Sequence, residues 1–275
     1  MEIFQYDFMQ RALAAGLITA VICPLIGIFI VMRRQALIGD GLGHIAFAGV
    51  TGGYLLGSYP LVVAAIVTAG AACGIEWLRR RHAQYSEIGM AIFFYAGMAL
   101  AIIFSTMFRM PPSGIMSFLF GSIITVTTTD LAIIGVCALV LIVAVIYLFE
   151  KLTLMCLDED IAIIAGINTT AINMVFAILT ALVVVVGMSV VGILLVSALM
   201  IVPVAAANLL HRGFRATLLW AVAFSLLAVI AGLILSFYLD IAPGGTIVMN
   251  AIGIYLMALI WERVSKPRVR NQADN

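Results

Sequence analysis

The sequence predicts an all-α, polytopic membrane protein with eight or nine transmembrane helices and a short cytoplasmic helix. Of its 275 residues, 65% are hydrophobic and 10% are charged, and the mean hydropathy is +1.23. Soluble domains average about 45–50% apolar and about 25% charged residues, so a soluble fold of this length could not bury so much apolar surface. The net charge of +1 argues against nucleic-acid binding, and four cysteines are too sparse for a disulfide scaffold.

Uncharged runs mark the predicted spans, because a helix needs about 20 apolar residues to cross the hydrocarbon. The runs cover residues 13–32, 45–75, 88–108, 131–149, 161–210, 216–239 and 244–261. The second run is broken near residues 57–60 and the fifth near residues 187–192, so nine spans are predicted, with eight as the alternative. Residues 110–129, which include Pro111 and Pro112, are expected to form a loop or a short re-entrant segment buried in protein or facing water.

The distribution of Lys and Arg predicts the orientation, because these residues favour cytoplasmic loops. With nine spans and the N-terminus outside, 12 of the 14 basic residues fall on the cytoplasmic side, and only Arg11 and Arg109 fall outside. The C-terminus is therefore expected in the cytoplasm. We expect one transmembrane domain over residues 1–264, with a short cytoplasmic helix at about residues 156–167, and a short cytoplasmic tail over residues 265–275.

Asp40 and His44 are the sharpest candidates for a functional site within the predicted spans. Ionisable groups at membrane depth are expensive and usually face a cavity or a partner. Their i, i+4 spacing places both side chains on one helix face. A carboxylate and an imidazole suit Zn²⁺, or the harder Mn²⁺. One pair supplies only two ligands, whereas a two-fold dimer would supply four; a plain Asp–His hydrogen bond that stabilises packing is the alternative.

The segment 158–167 is expected to form a short amphipathic helix between two spans. Its three acids, Asp158, Glu159 and Asp160, would begin the helix, where the helix dipole favours them. Gly166 would end it. Such a helix could dock on a cytoplasmic partner, and a plain connecting loop is the alternative. The chain contains no GxxxxGK[ST] sequence, so ATP hydrolysis by a P-loop is not expected in this chain.

Other polar and small residues within the apolar runs have mainly structural interpretations. Pro203 is expected to kink its span, and Ser197 lies near that kink. At the ends of the runs, Asp240 could cap a turn or line the outer mouth of a pathway. Glu76 is expected to be an interfacial residue, and Asp130 is expected to cap a helix. Glycines at four-residue spacing are expected to let helices approach closely; they are Gly39 with Gly43, Gly49 with Gly53 and Gly57, and Gly70 with Gly74.

Several stretches, taken in order, resemble the permease subunits of the ABC-3 family of metal-uptake transporters. Residues 33–46, RRQALIGDGLGHIA, resemble the family's R-x-L/M-S-x-x-G-D-x-x-x-H-A signature. Residues 117–122 (SFLFGS), 195–207 (LVSALMIVPVAAA) and 240–246 (DIAPGGT) resemble further family stretches, and residues 158–167 resemble the family's coupling helix. The resemblance runs from about residue 8 to residue 261.

The resemblance implies a non-catalytic subunit of a bacterial importer in the cytoplasmic (inner) membrane. Two copies would form the pathway, separate ATPase subunits would bind the coupling helices, and an extracytoplasmic binding protein would deliver the ion. Asp40 and His44 match the pathway motif. Asp158, Glu159, Asp160, Ala165 and Gly166 match the coupling position, and Ser197, Pro203 and Asp240 remain candidates for the pathway or gate.

We expect no permanently bound cofactor; the metal is transported, with Zn²⁺ ranked above Mn²⁺ because the ligand set contains imidazole. The alternatives are a permease for manganese or iron, a proton-coupled secondary transporter that uses Asp40 and His44, an ABC permease for cobalamin or an iron-siderophore, and a purely structural membrane subunit.

Overall fold

A computed structural model describes residues 7–81, 86–121 and 127–265. These residues form eleven helices and no strands. The helices are α1 (Asp7–Met32), α2 (Ile38–Leu55), α3 (Pro60–Arg81), α4 (Ser86–Met107), α5 (Pro112–Phe120), α6 (Thr128–Leu157), α7 (Glu159–Ile164), α8 (Thr169–Met188), α9 (Ile193–Asn208), α10 (Phe214–Leu239) and α11 (Pro243–Ser265). The predicted fold class, a polytopic all-α membrane protein, is confirmed.

Nine of these helices have 16 or more residues, and they occupy the positions of the nine predicted spans. Seven of the nine are long and apolar enough to cross a membrane: α1, α3, α4, α6, α8, α10 and α11. The other two are α2, which carries Asp40 and His44, and the shorter α9. The predicted breaks are also present, because α2 ends at Leu55 before α3 begins at Pro60, and α8 ends at Met188 before α9 begins at Ile193.

The interior of the bundle is built on α1 and α8, in each of which two thirds of the apolar window is buried. Helix α1 packs against α6, α9 and α10, whereas α2 packs against α3, α4, α8 and α9. Phe29 of α1 is completely buried. Its ring contacts the rings of Phe149, Phe176 and Phe214, with centroids 6.0, 6.1 and 5.6 Å apart. This aromatic cluster joins α1 to α6, α8 and α10 near the end of α1, which Arg33 follows.

The two ends of the bundle differ in charge. We call the end where α1 and α3 finish and α8 begins the basic end, because Arg33, Arg79 and Arg80 lie there and form hydrogen bonds to Asn173, Glu76 and Thr170, respectively. At the other end, which we call the opposite end, Tyr59 before α3 donates a hydrogen bond to Asp130 at the start of α6. The orientation predicted from the sequence assigns the basic end to the cytoplasm.

Part of the uncertain segment 110–129 forms the nine-residue helix α5, which is too short to cross a bilayer. Its C-terminal Gly121 is buried against the α8–α9 turn, where a Cβ would lie 2.5 Å from the carbonyl oxygen of Val190. Gly192 and Gly244 pack at the same turn. A Cβ at Gly244 would lie 2.0 Å from the carbonyl oxygen of Val191. The backbone at Gly121, directly after α5, is therefore buried in protein, as a re-entrant segment requires.

The short helix expected within residues 156–167 has narrower bounds than the sequence suggested. Helix α6 continues to Leu157, so residues 156 and 157 belong to α6, and α7 covers only Glu159–Ile164. The boundary falls at Asp158, whose extended backbone ends α6 and whose side chain caps α7. Residues 266–275, which make up nearly all of the predicted tail, lie outside the described residues.

Candidate functional site

Asp40 and His44 lie on the first two turns of α2, at the basic end of the bundle. Both are half-buried, while their neighbours Gly39, Gly41, Leu42 and Gly43 are buried. The one-turn spacing keeps the carboxylate and the imidazole on the same helix face. The His44 ring also meets the Phe94 ring of α4 edge-on, with centroids 4.5 Å apart. The pair is thus sheltered by α4 without being enclosed.

Glycines hold α2 close to three of its four neighbouring helices. A Cβ at Gly39 would lie 2.6 Å from Ser197 Oγ of α9, and one at Gly49 would lie 2.6 Å from Ala64 Cα of α3. On the α4 side, a Cβ at Gly97 would lie 2.8 Å from the backbone nitrogen of Ile45. Real Cβ atoms essentially never approach so closely, so these glycines permit helix contacts that any side chain would separate. The backbone around Asp40 and His44 is therefore held from three sides.

A cavity of about 1100 Å³ opens at the basic end, and Asp40 lies in its wall. Four arginines and three carboxylates line this cavity, together with apolar side chains from α2, α3 and α4. The charged residues are Arg33, Arg34, Arg79, Arg80, Asp40, Glu76 and Glu159. A path thus leads from the basic end to the first of the two predicted metal ligands.

Among the residues that the structure describes, one chain brings two candidate ligands together at this place. Among the described residues, the side chains of His, Cys, Asp and Glu form no group of three or more that could hold a metal ion. Asp40 and His44 offer one oxygen donor group and one or two nitrogens, fewer than the four ligands of a structural zinc site. The pair is suited to brief contact with a passing ion, or to sharing an ion with groups from elsewhere.

The three further pathway candidates lie in different surroundings. Ser197 is buried against Gly39, and its hydroxyl has no hydrogen-bond partner among the described residues. Pro203 lies inside α9. Asp240 is exposed, ends α10 in the left-handed conformation and donates its backbone N–H to Ser236. The contact with Gly39 places Ser197 against α2, and a role for these three residues in a pathway stays a prediction.

The predicted start and stop signals of α7 are present in the structure. Asp158 Oδ1 accepts hydrogen bonds from the backbone N–H groups of Asp160 and Ile161, 2.8 and 3.1 Å away. At the other end, Gly166 has a φ of 78°. The N–H of Gly166 bonds to the carbonyl of Ile163, and the N–H of Ile167 bonds to that of Ala162, which is the Schellman arrangement. These caps stabilise a six-residue helix that would be marginal alone.

The exposed surface of α7 is mainly apolar. Ala162 is completely buried against the bundle, whereas Ile161, Ile163 and Ile164 are exposed, the last to 85%. Leu157, just before the helix, is 71% exposed. Exposed apolar residues grouped in this way mark contact surfaces. Because α7 follows the end of α6 at the basic end, this surface faces away from the spans.

Glu76 is the clearest functional-site residue whose surroundings the sequence did not reveal. We expected it at the membrane interface, but its side chain is buried and accepts two hydrogen bonds from Arg79, at 2.8 and 2.9 Å, and one from Arg80, at 3.0 Å. Asn173, one turn into an apolar span, is 2% exposed and bonds to Arg33. An isolated amide in an apolar run pointed to Asn173, but this signal did not identify Arg33 as its hydrogen-bond partner.

The opposite end has a second cavity, of about 660 Å³. Asp130 lies in its wall as part of a capping box with Thr127, which confirms the predicted capping role. Tyr59 donates a hydrogen bond to Asp130 Oδ1 over 2.5 Å. Burial and this hydrogen bond raise the pKa of the Tyr59 hydroxyl, so it remains a donor at neutral pH. The contact joins the α2–α3 turn to α6.

The comparisons with known proteins cover nearly the whole chain. The sequence model of the ABC 3 transport family matches residues 5–262. A Treponema pallidum protein named "Probable metal transport system membrane protein" is 33% identical over 96% of this chain and 99% of its own length. The high-affinity zinc uptake system membrane protein ZnuB of Haemophilus influenzae is 28% identical over 92% of this chain and 97% of its own length.

Two further similarities concern manganese transport and a solved structure. The manganese transport system membrane protein MntC of Halalkalibacterium halodurans is 31% identical over 94% of this chain and 89% of its own length. The solved structure of PsaBC from Streptococcus pneumoniae in complex with Fab matches with a TM-score of 0.86 and 25% identity, covering 94% of this chain and 93% of that chain.

Proposed function

The chain belongs to the ABC 3 transport family of metal transport membrane proteins, and we propose that it forms the membrane pathway of a bacterial importer for a divalent transition metal. Zinc is the proposed cargo, ahead of manganese or iron. Relatives named for zinc and for manganese match over similar lengths, so they do not decide between these metals. The preference for zinc comes from the imidazole in the ligand pair.

The observation that carries this proposal is the position of Asp40 and His44. They are half-buried on one face of a glycine-clamped helix, and Asp40 lines the cavity at the basic end. Ionisable side chains within a predicted span need a cavity or a partner group. Two ligands from one chain give weak coordination, and weak binding suits transport, because an ion held tightly cannot leave.

A second copy of the chain would complete the site. The shortage of ligands within the described part of one chain supports this part of the proposal. Helix α4 also supports this part of the proposal, because it packs mainly against α2 and leaves the side chains of Ile92, Tyr95 and Ile102 exposed. With the two α2 helices near a two-fold axis, two carboxylates and two imidazoles would surround the ion.

The energy source in this proposal is a separate ATPase subunit that binds α7. The apolar surface of Ile161, Ile163 and Ile164 supports this role, because it projects from the basic end on a helix capped at both ends. Ala165 and Gly166 are exposed beside it. An extracytoplasmic binding protein would deliver the ion at the opposite end. The chain itself would carry out no catalysis.

Metal uptake into proteoliposomes tests the proposal. The chain would be reconstituted with its ATPase and binding protein, and uptake of zinc and manganese would be measured with and without ATP. We expect ATP-dependent uptake, at least about tenfold lower in Asp40→Asn and His44→Ala complexes, since even changes next to metal ligands lower affinity about 10–100-fold. Glu150→Gln is the matched control, because it removes an exposed carboxylate on α6.

The results would also separate the alternatives. Uptake driven by a proton gradient without ATP would show a secondary transporter and contradict the ABC mechanism. Full uptake by correctly assembled Asp40→Asn and His44→Ala complexes would show that the pair serves only packing.

A further inference from the structure

A chain of polar side chains connects α7 with the ends of α1 and α3. Glu159, the first residue of α7, accepts a hydrogen bond from Asn173 Nδ2 over 3.2 Å. Asn173 Oδ1 in turn accepts one from Arg33 Nη1 over 2.7 Å. The same Glu159 oxygen lies 3.7 Å from Arg80 Nη2. The carboxylate of Glu159 thus lies next to Arg80 and is connected to Arg33 through Asn173.

The Arg80 branch continues along the cavity wall. Arg80 Nε donates to Glu76 Oε1 over 3.0 Å, and its Nη groups donate to the Thr170 hydroxyl over 2.6 Å and to the Thr169 carbonyl over 2.9 Å. Arg80 is therefore held by α3 and by the start of α8, as well as facing Glu159. A displacement of Glu159 would leave these other contacts in place but remove one of the two carboxylates near this arginine.

The Arg33 branch leads to Asp40. Arg33 also donates to Cys156 Sγ over 3.4 Å and lies 4.9 Å from the centroid of the Phe176 ring. Its Nη2 atom is buried without a hydrogen-bond partner among the described residues. The bond to Asn173 is thus its strongest polar contact. Arg33 directly follows α1, and only residues 34–37 separate it from α2.

The turn between Arg33 and α2 is itself ordered by backbone hydrogen bonds. Gln35 N–H bonds to the Ile30 carbonyl, and Ile38 N–H bonds to the Gln35 carbonyl. A shift of Arg33 would therefore be passed to the first turn of α2, where Asp40 lies. The links from Glu159 to Arg33 are direct side-chain contacts, and the link from Arg33 to Asp40 runs through the backbone of residues 34–37.

We propose that Glu159 and Asn173 are positioning residues that transmit the position of α7 to Arg33 and, through the turn after it, to Asp40. This inference rests on the proposed function, in which an ATPase subunit moves α7. Withdrawal of Glu159 would release Asn173 and let the Arg33 turn shift. It would also leave four arginines and only two carboxylates on the cavity wall, and the greater positive potential would oppose return of a cation to Asp40.

The test measures how many metal ions enter per ATP hydrolysed, in proteoliposomes that contain the complete complex. Glu159→Gln keeps an acceptor for Asn173 but removes the negative charge facing Arg80. Asn173→Leu removes the hydrogen bonds to both Arg33 and Glu159 without changing any residue of α7. We expect each variant to keep ATPase activity and ATPase binding while uptake per ATP falls at least about threefold, within the range by which network mutations alter coupling. Glu150→Gln should keep the original ratio.

The outcomes are distinguishable. If Asn173→Leu does not assemble, Asn173→Asp replaces it, because a carboxylate keeps the bond to Arg33 but repels Glu159. Loss of ATPase binding by Glu159→Gln would overturn the inference, since Glu159 would then act in docking. An unchanged ratio in both the Glu159 and the Asn173 variant would overturn it as well. If the unmodified complex takes up no metal with ATP, the proposed function itself fails.

Discussion

Replacement of Gly97 by alanine tests the close contact that holds α4 against the candidate site. A Cβ at this position would lie 2.8 Å from the Ile45 nitrogen and 3.0 Å from the carbonyl carbon of His44. These are backbone atoms, which cannot rotate aside. Ordinary contacts of a Cβ begin at 3.4 Å, so α4 must withdraw from α2 by about 0.6 Å at the level of His44. Overpacking of this kind costs about 1–3 kcal/mol.

Gly70 on α3 provides the matched control. It is exposed, and a Cβ there would meet nothing within 4 Å, so the four-residue spacing of Gly70 and Gly74 does not mark a close contact at Gly70. Both Gly→Ala changes bring the same gain in helix propensity, about 1 kcal/mol. The difference between the free energies of unfolding of the two variants therefore isolates the contact, and we expect Gly97→Ala to be less stable than Gly70→Ala by about 1–3 kcal/mol.

The assay is reversible unfolding by a denaturing detergent, followed for both variants at equal lipid content. Metal uptake by the reconstituted complex is the second measurement. Withdrawal of α4 would move Phe94 away from the His44 ring, so we expect lower uptake in Gly97→Ala and unchanged uptake in Gly70→Ala. Equal stability of the two variants would refute the reasoning, because it would mean that α4 does not lie as close to His44 as the structure shows.

Two other contacts yield predictions that need different measurements. Gly166→Ala should destabilise the end of α7 by about 1–2 kcal/mol, which is the cost of a left-handed conformation with a Cβ. It should therefore lower binding of the ATPase subunit. Gly166→Asn should retain more of this binding, since Asn tolerates the left-handed conformation. Binding of the ATPase subunit to each purified variant measures this, and equal affinities would contradict the role of the cap. Tyr59→Phe and Asp130→Asn should show a coupling energy of about 0.5–1.5 kcal/mol in a double-mutant cycle of thermal unfolding. Additive effects would mean that the hydrogen bond between Tyr59 and Asp130 does not form.

The sequence alone predicted the positions of the long helices well. Uncharged runs are a direct consequence of hydrocarbon thickness, so the spans and the breaks between α2 and α3 and between α8 and α9 follow from composition. Local capping chemistry also predicted Asp158 and Gly166 as the limits of α7, because these signals act within a few residues. The start of α7 was less certain, since α6 runs up to Asp158 without a loop.

Contacts between distant spans could not be predicted in the same way. Glu76 next to three arginines reads as an interfacial residue, yet its side chain is buried by two of those arginines. The link from Glu159 through Asn173 to Arg33 joins residues up to 140 positions apart. No periodicity in a single sequence encodes such pairs. Asp40 and His44 could be predicted as a pair because their spacing of one helix turn is visible in the sequence. The cavity beside Asp40 could not be predicted, because it depends on how α2, α3 and α4 pack.

The central claim is that the carboxylate of Asp40 and the imidazole of His44 contact the transported ion. Anomalous X-ray scattering from zinc in crystals of the complete complex tests it most directly. We predict a zinc peak about 2.0–2.2 Å from an Asp40 oxygen and a His44 nitrogen, which is lost in the His44→Ala complex. Zinc bound elsewhere along the bundle, with both side chains turned away from it, would contradict the claim.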